Sequence, residues 1–138
     1  MSIVLPKIGE TITTDRALEL CKYFNLDYLV ERISNNKDLY KSWVFDGVSG
    51  VPDKLTAFIV GVDQDKLTYL CALPHDLGYA YGNSGDLEEK HIVDAKFLHN
   101  LIYEAEMCPL IAKIFFAAVD ILGKEEFNLP FTWAFASK

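Results

Sequence analysis

The sequence predicts a mainly α-helical chain, and three features carry that expectation. Between Leu87 and Glu104 the apolar positions Leu87, Val93, Phe97, Leu98, Leu101 and Ile102 recur at three- and four-residue spacing, the period of one helix face. From Pro109 to Leu122 the chain is almost wholly apolar, with a proline favourable at a first helical position and Gly123 favourable just past an end. The stretch rich in β-branched residues, 55 to 62, is short, so any β element is expected to be minor. A length of 138 residues, 51% hydrophobic and 24% charged, fits one domain able to bury enough surface to offset its ordering entropy.

The remaining elements follow in order. Thr14 or Asp15 can cap a first helix, because either side-chain oxygen accepts from a free N–H of the first turn, and Leu18, Cys21 and Phe24 supply its apolar spacing. A short second helix is expected around Tyr28 to Ile33. A loop follows at 34 to 38, where Ser and Asn side chains compete for their own backbone. Asp46 to Asp53, reading DGVSGVPD, is expected to be a shaped loop. After it come the candidate strand at 55 to 62, a turn at Asp63, Gln64 and Asp65, and a helix over Leu67 to Tyr81. Pro74 lies inside that helix, where it removes a donor and disfavours a helical predecessor, so the helix is expected to kink or to begin there. The near-total apolarity of 109 to 122 implies deep burial. The C-terminal FNLPFTWAF alternates strictly, the period of an extended strap covering the core. The chain thus divides into a helical N-terminal extension (1 to 40), a core (43 to 123) and an extended aromatic tail (124 to 138).

Charge and cysteines narrow the function classes. A net charge of −7 with scattered basic residues leaves no electrostatic footprint for nucleic acid or an anionic membrane. Cys21, Cys71 and Cys108 show neither CxxC spacing nor an even count, so they are expected to be reduced core thiols. The N-terminus shows no basic region followed by an apolar stretch, and 109 to 122 is interrupted by Lys113 and Asp120 and falls short of the ~20 residues a membrane span needs. A cytoplasmic location without a transmembrane segment is the resulting expectation.

Two polar positions interrupt the apolar pattern. Asp94 lies three residues before Phe97 and seven before Leu101, on the core-facing seam of its helix, where a carboxylate needs a partner. His75 can supply one, because the short turn GNSGD makes the two helices antiparallel neighbours. A histidine held by a carboxylate through one ring nitrogen keeps the other free as a general base. Asp76, about 100° further round the helix, faces a different neighbour, and the acidic glycine-containing loop at Asp46 can provide it. Asp46, carbonyls near Gly47 and Ser49, and Asp76 would form part of a calcium shell, since calcium takes carboxylate and carbonyl oxygens together.

The order DGVSGVPD (Asp46 to Asp53), HDLGY (His75 to Tyr79) and KHIVDAKF (Lys90 to Phe97) resembles the core of the phospholipase A2 superfamily, in particular its small bacterial and fungal branch, over roughly residues 43 to 123. The resemblance implies an antiparallel helix pair and a calcium-dependent hydrolase acting on phospholipid or another ester, in transient contact with a membrane surface. By the same resemblance, His75 would deprotonate a water, Asp94 would orient its ring, and Tyr79 would support Asp94. Ca2+ would be held by Asp76, Asp46 and the Gly47 carbonyl and would stabilise the oxyanion. The chain departs from the pattern in lacking the disulfides that flank the pair in secreted members, in a longer interval between Asp53 and His75, and in Pro74.

The alternative is a non-catalytic phospholipase A2-like binding or assembly protein, for example a phage-encoded one, that retains the His-Asp clasp as structure. HD-type metal phosphohydrolases need a histidine upstream of their HD pair, whereas His91 and His99 lie downstream. Glu88, Glu89 and His91 are expected to be a solvated helix face.

Overall fold

The computed structural model describes residues 3–47 and 61–138. Among these the chain is mainly helical. Strand β1 (Thr11–Ile12) is followed by α1 (Thr14–Tyr23), α2 (Asp27–Asn35) and β2 (Trp43–Val44). A continuous rod then comprises α3 (Gln64–Lys66), a π-helical segment (Leu67–Ala72) and α4 (Leu73–Ala80). Helices α5 (Leu87–Tyr103) and α6 (Pro109–Leu122) follow. No described helix is long and apolar enough to cross a membrane.

The helix starts illustrate local chemistry that the sequence only partly exposes. Thr13, rather than Thr14 or Asp15, caps α1 by accepting from the Arg16 N–H. Asp63 accepts from the N–H groups of Asp65 and Lys66, so the expected turn at 63 to 65 is a cap that opens the rod. Asp86 caps α5 in the same way, through the Glu89 N–H. Pro74 neither starts the helix nor breaks it. The preceding turns widen to π spacing, with the Leu73 N–H reaching the Thr68 carbonyl, and this loosening accommodates a residue that cannot donate.

The only β pairing among the described residues is antiparallel, Thr11 opposite Val44 and Ile12 opposite Trp43. It falls outside the expected strand, of which only Gly61 and Val62 are described, as a turn. Two residues per strand are too few to leave a period in the sequence.

Two apolar clusters share the rod. Leu73 and Leu77 pack with Leu20, Leu29, Phe45 and Trp133 from α1, α2, the chain after β2 and the tail. Leu67 and Cys71 pack with Phe97, Leu101 and Phe115 from α5 and α6. Helices α1 and α2 thus contribute to the first cluster.

Three expectations are corrected. The tail is not an extended strap: it forms short 3-10 turns at Glu125–Phe127 and Phe135–Ser137 with left-handed residues at Asn128 and Ala134. Phe127, Leu129 and Phe131 stay exposed, while Trp133 and Phe135 are buried. Helix α6 is not deeply buried either. Only Ala112 and Phe115 are enclosed, and Leu110 and Ile121 are more than half exposed, because α6 packs mainly against α5. Cys21 and Cys71 are buried thiols, but Cys108 is exposed.

Candidate functional site

The site is built on α4 and α5. Gly78 lets them meet: a Cβ there would stand 2.8 Å from a Val93 methyl. Contacts between 75 and 97, 78 and 93, and 79 and 90 run in opposite chain directions, so the two helices are antiparallel. The ring of His75 lies between those of Tyr79 and Phe97, at centroid distances of 4.3 and 4.6 Å. Its Nε2 is 2.9 Å from Oδ1 of Asp94, a residue with no exposed surface. Tyr79 donates its hydroxyl to the same oxygen at 2.6 Å.

Burial alone would raise the Asp94 carboxyl, but hydrogen bonds from His75, Tyr79 and Lys90 outweigh it and bring the pKa down to about 2. Asp94 is therefore an acceptor only, so the His75 Nε2 must carry the proton of that bond. In the neutral ring Nδ1 then holds the lone pair. Burial and the Asp94 charge push the Tyr79 phenol far up, which keeps it a donor.

Lys90 is a member of this network whose role the motif did not disclose. Its Nζ lies 2.9 Å from Asp94 Oδ2, one helical turn away, and also reaches the carbonyl and Oδ1 of Asp120 on α6, at 2.9 and 3.1 Å. The i, i+4 spacing of Lys90 and Asp94 was the available signal. Lys90 is only 4% exposed.

Asp76 and Asp46 face a second cleft, of about 310 Å³, with Trp43, Phe131 and Phe135 in its walls and Lys41 at its edge. Burial first, and the Asp46 charge second, push the Asp76 carboxyl well above its usual range. Gly47, with φ +71°, turns the chain immediately after Asp46. The loop from 48 to 53, including Ser49 and Asp53, lies outside the described residues. Two carboxylates sharing a cleft, with no ion pair to Lys41, are hard oxygen donors of the kind that calcium takes, and their mutual repulsion is what a cation would relieve. By themselves they could supply only part of a shell, since no group of three or more acidic, histidine or cysteine side chains positioned for a metal occurs among the described residues.

On the other side of His75, an apolar cleft of about 430 Å³ runs between α4 and α5, walled by Phe24 and Leu26 from the α1–α2 junction, Leu70, Ile92, Val93 and Phe97. The His75 imidazole lines it. Glu88, Glu89 and His91 do not converge: Glu89 turns inward to a two-pronged ion pair with Arg32 at 2.7 and 2.9 Å, while Glu88 and His91 are exposed. Arg32 also donates to the Tyr81 carbonyl, tying α2 to the end of α4. No protein-family model, curated protein or solved structure matches the chain.

Proposed function

We propose that the chain is a calcium-dependent ester hydrolase acting on phospholipid, with His75 as its general base. The observation that carries this reading is the 2.9 Å bond from His75 Nε2 to the enclosed Asp94, which leaves Nδ1, 4.0 Å from Asp76 Oδ1, free of a hydrogen bond among the described residues, on a ring that lines an apolar cleft. The cleft suits an acyl chain, and the neighbouring carboxylates Asp76 and Asp46, with the Gly47 carbonyl, would hold the calcium. Bound calcium would supply a Lewis acid for the ester carbonyl and balance the charge of the oxyanion. Nδ1 of His75 takes a proton from water as its oxygen adds to the ester carbonyl. Asp94, kept anionic, steadies the imidazolium, which then returns the proton to the departing alkoxide.

A second reading, a non-catalytic phospholipase A2-like binding or assembly protein, is favoured by one observation. Lys90 already compensates the Asp94 charge, so the clasp holds the helix pair together without any turnover.

The test is fatty-acid release from phospholipid vesicles with calcium, its loss with EDTA, and its loss in His75→Gln. Millimolar calcium should also raise the melting temperature, since a ligand bound only by the folded state stabilises it, and Asp76→Asn should abolish that rise. Absence of calcium-dependent turnover on every glycerophospholipid tried, together with no thermal shift, rules the enzyme out in favour of the second reading.

A further inference from the structure

We infer that the cleft beside His75 binds an amphiphile carrying a hydroxyl or amide within its apolar portion, and that Asn100 reads this group. The inference concerns the cleft of the proposed hydrolase and takes from that proposal only that the occupant has an acyl chain.

The α5 wall of the cleft is not uniformly apolar. Lys96, Asn100 and Glu104, spaced one turn apart, run along it. Lys96 and Glu104 are exposed, whereas Asn100 is only 8% exposed. The Asn100 side-chain amide has no hydrogen-bond partner among the described residues, while every fully enclosed side-chain polar atom among them has one. The amide therefore keeps its opening onto the cleft that Asn100 lines. It is nine-tenths buried, unpartnered and at the surface a ligand would cover.

A plain alkyl chain entering the cleft would strip water from this amide and return nothing, which makes such an occupant a poor match. An asparagine amide offers an acceptor and two donors, so its complement is a neutral group able both to give and to accept. The opposite charges of Lys96 and Glu104 on either side balance, so neither sign is selected. Asn100 lies three residues beyond Phe97, whose ring stacks on His75, and six beyond Asp94 on the same helix, so roughly 4.5 to 9 Å along the axis from the His75 end. The group it reads therefore sits in the body of the chain, away from the ester end near His75. Sites built around a hydrogen bond reject the analogue lacking it more strongly than apolar pockets reject an extra methylene.

The test uses the full chain, with isothermal calorimetry of a mid-chain hydroxy fatty acid and of the unsubstituted acid of the same length. The hydroxy acid should bind roughly fivefold to tenfold more tightly. Asn100→Leu should erase or reverse that preference while Asn100→Gln keeps its sign, with circular dichroism showing both variants folded. Equal affinity of the wild type for the two acids overturns the inference without need of any variant. So does an Asn100→Leu variant that weakens both alike, or a wild type that binds neither. Binding is measured without turnover, so loss of the hydrolase proposal through absent vesicle hydrolysis is a separate result.

Discussion

A carboxyl with no exposed surface either gives up its charge or is held as an anion by its neighbours, and Asp94 is held, by His75, Tyr79 and Lys90. Its folded pKa, about 2 against an ordinary 3.8, is depressed. The stabilisation it brings is therefore complete above about pH 4 and is lost as pH falls toward 2, an amount of about 2 kcal/mol. Asp76 is shifted the opposite way and works against this slope, so the comparison must be with a variant at position 94. Urea unfolding between pH 5 and pH 2 should show a shallower acid loss for Asp94→Asn than for the wild type, and parallel slopes would contradict the assignment. The His75–Asp94 bond was legible because an acidic residue on an apolar seam demands a partner and a short connection supplies one. Lys90 was not, because a lysine's reach depends on what its stem lies against.

Helix positions were readable wherever an apolar face repeats, as in α5, whose predicted span of Leu87 to Glu104 ends within a residue of the observed helix. Apolarity proved a poor guide to depth in α6. Burial there is decided by how many neighbours the fold supplies, and packing mainly against α5 encloses Phe115 but leaves Leu110 outside. Thermal denaturation should separate the two: Leu110→Gln should change stability by no more than about 0.5 kcal/mol, whereas Phe115→Ala should cost about 3–5 kcal/mol. Alternation misled in the tail for a related reason. A period of two describes a strand only where partners pair with its backbone, and Asn128 and Ala134 instead take left-handed turns. Pro74 was expected to kink the helix or to begin it, but a widened turn upstream absorbs it and keeps His75 on a continuous rod.

Across the molecule, the rod links the two apolar clusters, with Leu67 and Cys71 in one and Leu73 and Leu77 in the other. The tail secures this arrangement from outside. The Ala134 N–H bonds the Tyr79 carbonyl, the Trp133 N–H bonds the Gly123 carbonyl, and the Trp133 indole donates to the Asn83 carbonyl at 2.7 Å. Its ring meets Tyr79 edge-on at 5.1 Å, behind the phenol that holds Asp94. Trp133→Ala should therefore cost about 3–5 kcal/mol and depress any turnover that depends on His75. Retention of wild-type stability in urea would show that the tail is dispensable. No pairwise contact of this kind is visible in a sequence, since residues 79 and 133 belong to elements whose mutual position only the fold defines.

Trp133 also makes the molecule its own optical gauge. The chain has two tryptophans, Trp43 and Trp133, both buried, so native emission should be blue-shifted. In a Trp43→Phe background the single remaining indole would sit one ring away from the Asp94 network, and its emission would follow that network without an added label. Loosening of the tail would redden it before the helices melt.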